Sequence, residues 1–371
     1  MDNLQSFRPE WACPPGETIK EFLEERDWSI EYFAHSIRKS VIDTESLIKG
    51  SLEINDDLAC LLSKTLGAPS KFWISRETQY RLSLKQIKKN EEWLNQLPIS
   101  DMIKRGWFDR KFSKKEKLTA CLNFFDVTSV SDWYDIYINK TNVTAFRQST
   151  AYSINDIATI TWLRKGEIDS NSIHCSAWNK KRFKESLPEI KKLSCQKEPS
   201  KFIPEMRRIC ADSGVALVVA REPEGCRASG AVRFISENKA LMILSFRGLS
   251  DDQFWFSFFH EAGHLVLHER YLKENNSILV DNENQPNANK EIEKEANDFA
   301  FDTLIPKEYQ AEFSKLNPQS SYRAILSFSK TLGISPGIVV GQMQHSNKCK
   351  KSHNNKLKER YSEEHINQLV L

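Results

Sequence analysis

The most informative stretch of the sequence is residues 251–267, which read Asp-Asp-Gln-Phe-Trp-Phe-Ser-Phe-Phe-His-Glu-Ala-Gly-His-Leu-Val-Leu. The residues at its start, Ser250–Asp252, are types that cap helices, so a helix is predicted to begin near this point. On a helical wheel its side chains are apolar almost all the way round, which is typical of a buried helix. The one polar stripe contains His260, Glu261 and His264. Because buried polar groups need partners, this stripe is predicted to face a metal ion with its water.

Within this helix, His260-Glu261-Ala262-Gly263-His264 is the strongest chemical signal in the chain. Positions i and i+4 of a helix lie on one face, so both imidazoles can reach the same ion. Neutral imidazole binds Zn²⁺ readily, and catalytic zinc sites keep one coordination position open for water. Glu261 lies one position round the helix, where its carboxylate can act as the base for that water. The motif therefore predicts a Zn²⁺ site with His260 and His264 as ligands and Glu261 as the catalytic residue.

The third ligand has to come from another part of the chain. The metzincin pattern is excluded, because Leu267 and Arg270 stand where that pattern needs glycine and histidine. The remaining common ligand set is two histidines and a glutamate from a later helix. Residues 290–304 form the candidate helix. On its helical wheel Glu293 alone among the glutamates borders the apolar stripe, which favours Glu293 over Glu295 as the ligand.

Further side chains are candidates for the pocket around this site. Asn297 lies one turn beyond Glu293 and is predicted to orient a ligand through a hydrogen bond. His268 lies one turn beyond His264. We favour a pocket role for His268 over ligation, because two histidines and a glutamate already complete the protein's share of a catalytic zinc site. No motif identifies the residue that stabilises the oxyanion, and the unranked candidates are Arg247, Tyr309 and His345.

From about residue 206 the pattern changes to short apolar and β-branched runs. Residues 214–220, 228–236 and 239–246 predict strands of a small antiparallel sheet, with a hairpin at Glu237-Asn238. We expect residues 228–236 to form the edge strand that lines the cleft, because zincins hold an extended substrate by main-chain pairing. Residues 274–289 predict a loop. The expected fold class is α+β: mostly helical, with a small antiparallel sheet packed on the zinc-binding helix.

Length and composition indicate a globular protein rather than a disordered or membrane-embedded one. The chain has 371 residues, of which 40% are hydrophobic and 28% charged. The longest uninterrupted apolar run is Val215–Ala220, far shorter than the roughly 18 residues that a membrane span requires. The first residues carry no secretory signal, so a cytoplasmic location and reduced cysteines are expected. A net charge of +3 is too small to indicate nucleic-acid binding by itself.

Changes in composition and in the pattern of apolar residues along the chain predict four parts. These are a helical domain at residues 1–85, a helical middle region at 86–205 broken near Pro98 and Pro188, a metallopeptidase domain at 206–346, and a basic, polar tail at 347–371 that is expected to be frayed from Asn347 to Arg360.

The zinc motif is followed by Glu293-x-x-Ala296-x-x-Phe299-Ala300 and then by Leu304-Ile305-Pro306. Together these motifs resemble the ImmA/IrrE family of metallopeptidases. Three more segments resemble one subgroup of that family, and they are Asp252–Phe259, Trp162–Glu167 and Ser335–His345.

The resemblance implies a thermolysin-like zinc site, with His260, His264 and Glu293 as ligands and Glu261 as the base. It also implies that the substrate is a protein, often a helix-turn-helix repressor or antitoxin. In the subgroup concerned, the peptidase follows an N-terminal helix-turn-helix domain of the lambda-repressor or HigA antitoxin type.

The N-terminal region is predicted to contain the helices of such a domain, at residues 16–25, 29–34, 44–50 and 57–67, the third being the recognition helix. The net charge of this region, however, argues against DNA binding. Residues 1–85 contain 11 Lys and Arg against 14 Asp and Glu, a net charge of −3, whereas DNA-binding domains normally show a basic footprint. Two interpretations therefore stay open. Either the domain binds duplex DNA, or it docks a protein partner or a second copy of this chain. The candidate DNA contacts are Arg38, Lys39, Thr44 and Lys49.

The predicted function is a zinc-dependent endopeptidase fused to a helix-turn-helix domain. Its cleavage of a repressor or antitoxin would control transcription, a mobile element or a toxin system. The alternative is a DNA-binding transcriptional regulator or antitoxin whose zinc site is structural or senses metal. Glu261 argues against this alternative, because a purely structural site has no use for a base. No membrane association is expected, and a homodimer stays open.

Overall fold

The computed structural model of the protein describes residues 12–108, 112–139, 154–275, 277–282, 290–318, 320–362, 364 and 366. The chain divides into two compact units. The smaller comprises Met1–Asn95 with Phe112–Cys121, and the larger comprises Gln96–Lys111 with Leu122–Leu371. The domain boundaries at residues 85, 205 and 346 stay predictions.

Five helices account for most of the smaller unit: α1 (Pro15–Glu25), α2 (Ile30–Ser36), α3 (Val41–Ile48), α4 (Asp56–Leu66) and α5 (Ser70–Gln96). Polar side chains begin several of them, as when Asn55 accepts a hydrogen bond from the backbone N–H of Leu58 at the start of α4. The same helix ends at Gly67, whose φ of 86° is a left-handed conformation that glycine adopts at little cost. The helices bury their apolar faces in one core, which includes Phe33 and Trp73, both 0% exposed.

The third helix begins earlier than the sequence predicts. It starts at Val41 rather than Thr44, because the side chain of Ser40 accepts a hydrogen bond from the backbone N–H of Asp43 and caps the helix there. Thr44 therefore lies inside the helix, 0% exposed, with its hydroxyl donating to the carbonyl of Ser40 at 2.9 Å. This burial removes Thr44 as a contact for DNA. The helix-turn-helix assignment itself stays a prediction.

The helices that precede the first strand are α6 (Ile99–Lys104), α7 (Lys114–Phe125), α8 (Val130–Trp133), a π-helical turn (Tyr134–Asn139), α9 (Ile154–Ser170), α10 (Lys180–Leu193) and α11 (Pro199–Asp212). A helix break near Pro98 agrees with the end of α5 at Gln96. The break predicted near Pro188 is wrong, because α10 continues through that residue. A proline removes only one backbone hydrogen bond, and α10 buries Phe183, Leu187 and Ile190 as one stripe across it.

The sheet has four strands: β1 (Val215–Val219), β2 (Ala228–Ser236), β3 (Lys239–Leu244) and β4 (Leu279–Asn282). Their order is β1-β3-β2-β4. The hairpin between β2 and β3 at Glu237-Asn238 is confirmed.

Two details of the predicted sheet are wrong. The sheet is mixed rather than antiparallel, because β1 pairs with β3 in parallel, with Val215 opposite Ala240. Every residue of β1 is buried, so its apolar pattern is the same for either strand direction and carries no information on pairing. In addition, β2 is not an edge strand, since β3 pairs with one side of it and β4 with the other. The strand that ends the described sheet beyond β2 is β4.

After β3 the chain continues with α12 (Asp251–Leu267), α13 (Glu269–Glu274), α14 (Lys290–Leu304), α15 (Lys307–Lys315), α16 (Tyr322–Leu332), α17 (Pro336–His345) and a 3₁₀ turn (Asn355–Leu357). Helix α12 begins after Ser250 as predicted. It packs on β2 and β3 and is flanked by α14 and α17. The loop predicted at residues 274–289 lies partly outside the described residues. Its described part contains β4, which the sequence analysis did not predict.

Among the described residues, no single helix is long and apolar enough to cross a membrane. One bent pair, Tyr322–Leu332 with Pro336–His345 at 107°, meets the length and composition criteria jointly.

The stretch from Asn347 to Arg360 is packed and not frayed, contrary to the prediction from its composition. The backbone of Arg360 forms an isolated bridge with Ser250, immediately before α12. Tyr361 is 7% exposed and belongs to the main core, and the side chain of Lys358 is 8% exposed. Composition suggests a solvated tail because lysines dominate it, but its apolar and paired residues are the ones that pack.

Candidate metal centre

Helix α12 brings two histidines to one buried point. His260 and His264 are 2% and 0% exposed, and their Nε2 atoms lie 3.0 Å apart. The helix is buried along nearly its whole length, which follows from its apolar circumference. Beyond Asp251 and Asp252 in its first turn, the helix presents its ionisable and metal-binding atoms on the polar stripe.

Helix α14 adds a carboxylate to the same point. Oε2 of Glu293 lies 3.2 Å from Nε2 of His260 and 3.5 Å from Nε2 of His264. These three residues form a group that could hold a metal ion. Ligand atoms at the corners of a tetrahedral zinc site with bonds of roughly 2.0–2.1 Å stand about 3.3 Å apart. The three observed separations are close to that value.

The structure brings Glu293, and not Glu295, to the two histidines. Oε2 of Glu295 instead lies 2.8 Å from Nε2 of His268. The ring of His268 in turn approaches His264, with 3.1 Å between the two Nδ1 atoms. His268 thus contacts a predicted ligand and does not belong to the metal-binding group among the described residues.

Asn297 lies where the sequence analysis expects it. Its Oδ1 atom is 3.0 Å from Nδ1 of His260. An amide oxygen only accepts hydrogen bonds, so the ring nitrogen is the donor. This contact leaves Nε2 of His260 as the nitrogen that faces His264 and Glu293.

Glu261 is the most deeply buried acid of the site. It is 0% exposed, and neither carboxylate oxygen has a hydrogen-bond partner among the residues that the structure describes. Burial, followed by the nearby carboxylates of Asp281 and Glu293, raises its pKa well above the usual value of a glutamate. Strand β2 passes directly over it, since a Cβ atom at Gly230 would lie 2.3 Å from Oε1 of Glu261.

Asp281 on β4 is a site residue that the sequence analysis missed. Its carboxylate lies with His260 and Glu261 in a second group that could hold a metal ion. The residue follows the apolar run Ile278-Leu279-Val280, which could have indicated a short strand. The residues that follow it are rich in Asn and include Pro286, a composition that predicts a loop.

The ionisation of the cluster suits cation binding. Burial lowers the pKa of His264 to about 4. For Glu293, burial works against ionisation, but hydrogen bonds to both histidines outweigh it and lower the pKa to about 2. For His260, burial likewise opposes the charged form, yet the hydrogen bond to Glu293 and the charge of Asp281 raise its pKa. The cluster therefore favours an ionised carboxylate beside a neutral imidazole, the forms in which these groups bind metals.

The residues present fit a divalent cation. Two imidazole nitrogens and a carboxylate oxygen are the donor set of catalytic zinc sites. In addition to both oxygens of Glu261, Oε1 of Glu293 is buried without a partner among the described residues. Buried oxygens without hydrogen-bond partners are energetically costly, and a cation with its water would provide the missing partners.

The remaining pocket candidates lie outside this cluster. Nη1 of Arg247 donates to the carbonyl of Arg227 at 2.6 Å. Tyr309 lies on α15 and packs against the main core. His345, at the end of α17, has its ring 5.7 Å from that of Phe256. None of these three belongs to a metal-binding group among the described residues.

The DNA-contact candidates in the smaller unit differ in accessibility. Arg38 and Lys39 are exposed, as is Lys49. The amine of Lys49 lies 3.3 Å from Oε2 of Glu45 in a pair open to solvent, which contributes little to stability.

Comparison with known proteins bears on the larger unit. Residues 216–340 match the Peptidase_M78 family model, described as the IrrE N-terminal-like domain. This match supports the ImmA/IrrE family for that part of the chain, and the family is typically metal-dependent. The matched range is about a third of the chain and contains every residue of the candidate metal group. No curated protein matches the chain.

Proposed function

We propose that the larger unit is a zinc-dependent endopeptidase. The observation that carries the proposal is Glu261, a fully buried carboxylate with no protein partner among the described residues, beside a His260, His264 and Glu293 group. A structural metal site would place an apolar or hydrogen-bonded residue there, because burying an unsatisfied carboxylate is costly. The match of residues 216–340 to a peptidase family supports the same conclusion.

His260, His264 and Glu293 would hold the zinc ion, which supplies a water of lowered pKa and polarises the scissile carbonyl. Glu261 takes the proton of that water as the peptide carbonyl is attacked. Burial and the carboxylates of Asp281 and Glu293 raise its pKa, the direction that makes a carboxylate a stronger proton acceptor. Glu261 then delivers the proton to the leaving amine. Asn297 holds the ring of His260 during these steps through its hydrogen bond to Nδ1.

The test separates metal binding from chemistry. Glu261→Gln should bind zinc as the wild type does, while cleavage falls by at least about 10²-fold, because a general base is lost. Glu293→Ala should lose most bound zinc, since one of three ligands is removed. Glu291→Ala, a change at an exposed glutamate of the same helix, should alter neither property. Metal content by atomic emission and peptide cleavage by mass spectrometry are the measurements. Normal cleavage by Glu261→Gln would contradict the mechanism.

We also propose that the substrate is a helix-turn-helix repressor or antitoxin and that the N-terminal unit directs the protein to its target. The support is the resemblance of the sequence motifs to the ImmA/IrrE family. A pull-down with Glu261→Gln, which should retain its substrate uncleaved, would identify the partner. Cytoplasmic location and homodimer formation stay predictions.

A further inference from the structure

The two histidines of the candidate metal centre have different hydrogen-bond partners behind them. Among the described residues, Nδ1 of His260 contacts the amide oxygen of Asn297 at 3.0 Å. Behind His264, two residues form a chain of hydrogen bonds. Nδ1 of His264 lies 3.1 Å from Nδ1 of His268, and Nε2 of His268 lies 2.8 Å from Oε2 of Glu295.

We infer that His268 and Glu295 are positioning residues that hold His264 in the ring orientation and tautomer needed to bind the metal. This inference rests on the proposed function, because it concerns the same metal site. Neither residue belongs to a metal-binding group among the described residues. Each acts on His264, His268 directly and Glu295 through His268.

The positions of the protons follow from the chemistry of the three groups. A neutral imidazole carries one N–H, and Nε2 of His264 is the nitrogen that faces His260 and Glu293. Its hydrogen is therefore on Nδ1 and is donated to Nδ1 of His268. That nitrogen must accept, so His268 carries its own hydrogen on Nε2. A carboxylate only accepts, and Glu295 receives this hydrogen. For neutral rings, each donor in the chain meets an acceptor.

The fold explains why these residues meet. His268 follows His264 by one helical turn and caps the C-terminus of α12, where it is 8% exposed. Helix α14 runs beside α12 and supplies the outer partner on both sides, Asn297 for His260 and Glu295 for His268. The side chain of Glu295 is 55% exposed, so its carboxylate contacts solvent while one oxygen binds the buried ring of His268.

The expected consequence is a contribution to metal affinity. A hydrogen bond behind a ligating histidine fixes its tautomer and increases its basicity, and the loss of such a partner typically costs about 10–100-fold in metal affinity. His268 is the neighbour that His264 donates to, so its removal should cost more than the removal of Glu295.

The experiment measures zinc affinity of the full-length protein by competition with a chromophoric chelator, with Zn²⁺ alone as the probe. Glu295→Ala should weaken binding about 10-fold, and His268→Leu by about 10–100-fold. The double variant should bind no more weakly than His268→Leu, because Glu295 acts through His268. Glu291→Ala, which removes an exposed carboxylate of the same helix, should stay within about twofold of the wild type. Circular dichroism checks that each variant is folded.

A second readout reports the tautomer directly. In ¹⁵N spectra of the zinc-loaded wild type, His268 should carry its hydrogen on Nε2, and Glu295→Ala should shift that population. Glu295→Gln, which keeps an acceptor oxygen, should bind zinc more tightly than Glu295→Ala does. Asn297→Ala and Glu295→Ala should have additive effects on affinity, because they act on different ligands.

The results separate this inference from the proposed function. If the wild type binds zinc but Glu295→Ala behaves as Glu291→Ala does, or if the effects of His268→Leu and Glu295→Ala add, the chain of positioning residues is wrong while the metal site stands. If the wild type binds no zinc at the histidines, both are wrong.

Discussion

Asp251 and Glu261 are two buried carboxyl groups on α12 that differ in their hydrogen bonding. Asp251 is 1% exposed at the N-terminus of the helix, where Ser335 and the backbone N–H of Glu359 donate to it. Glu261 is 0% exposed and has no protein donor among the described residues. At the scale of the residue, the carboxylate of Asp251 is therefore suited to joining segments of the chain. The carboxylate of Glu261 is suited to accepting and releasing a proton.

Asp251 should make the stability of the protein depend on pH. Burial, against the hydrogen bond from Ser335, raises its pKa from 3.8 to about 6. The folded protein then binds this proton more tightly than the unfolded chain does, so the stabilisation is complete below about pH 4 and is lost as the pH rises through 6. Asp251→Asn does not titrate. Between pH 4 and pH 7 the wild type should lose about 2 kcal/mol relative to this variant.

Urea unfolding of both proteins at the two pH values measures this difference. Asp298→Asn, at an exposed aspartate on α14, is the control and should show no such pH-dependent change. Equal stability changes for the wild type and Asp251→Asn would show that Asp251 ionises normally in the folded protein.

At the scale of the element, the site depends on close approach of helix and strand backbones. Gly263 lies between the zinc-motif histidines, and a Cβ atom there would come within 3.2 Å of Cα of Ala296 on α14. Gly230 has the same role on the other side, where β2 covers Glu261. Small residues at these two points allow α12 to lie against both neighbours, so that residues from α12, α14 and β4 reach one point.

Gly230→Ala should impair cleavage while sparing metal binding. The new methyl group would lie 2.3 Å from Oε1 of Glu261, so the carboxylate has to move away from its present position. We expect cleavage to fall by at least about 10-fold, because a displaced base loses alignment with the water. Zinc content should change little, since β2 supplies no ligand.

Ser229→Ala is the matched control for this change, because it alters the adjacent residue of the same strand, whose side chain is only partly buried. It should leave cleavage within about twofold of the wild type. Full activity of Gly230→Ala would mean that Glu261 is not held where the structure places it.

At the scale of the whole molecule, residues far from the zinc motif in sequence support α12. The amine of Lys358 donates to Oδ2 of Asp252 at 2.6 Å and to Oε1 of Gln344 at 2.7 Å. The side chains of both Lys358 and Asp252 are 8% exposed. The C-terminal segment is thereby joined to the start of α12 by a buried ion pair.

Lys358→Met should destabilise the protein by about 3–5 kcal/mol, because it leaves the carboxylate of Asp252 buried and unpaired. Lys356→Met changes an exposed lysine two residues away and should have little effect. Thermal unfolding followed by circular dichroism compares the two variants. A Lys358→Met protein as stable as Lys356→Met would show that the C-terminal segment does not support the helix.

The smaller unit can be tested for DNA binding by a gel-shift titration at two salt concentrations. If it binds duplex DNA, Arg38 and Lys39 are the exposed candidates. Replacing both with alanine should then reduce the salt dependence by about one phosphate's slope for each basic side chain removed. Glu45→Gln should tighten non-specific binding, because it removes a charge that repels phosphate. No binding of duplex DNA by the wild type at about 50 mM salt would favour the docking interpretation.

The sequence by itself determined the zinc-motif helix, the hairpin at Glu237-Asn238 and the choice of Glu293 over Glu295. These features rest on local periodicity: helical spacing sets which side chains share a face, and two β-rich runs with a short turn between them pair with each other. The apolar circumference of α12 likewise carried the prediction that it is buried.

Only the tertiary structure decided the parallel pairing of β1, the inner position of β2 and the packing of the C-terminal segment. It also decided that Asp281 joins the site and that Glu295 reaches His268. Each of these depends on contacts between segments that are distant in the chain. A buried strand such as β1 looks the same in either direction, and a helical wheel places Glu295 on a solvent face without knowing that the end of α12 lies beside it. The physical reason is that local spacing specifies which face of an element is apolar, whereas the path of the chain specifies what that face meets.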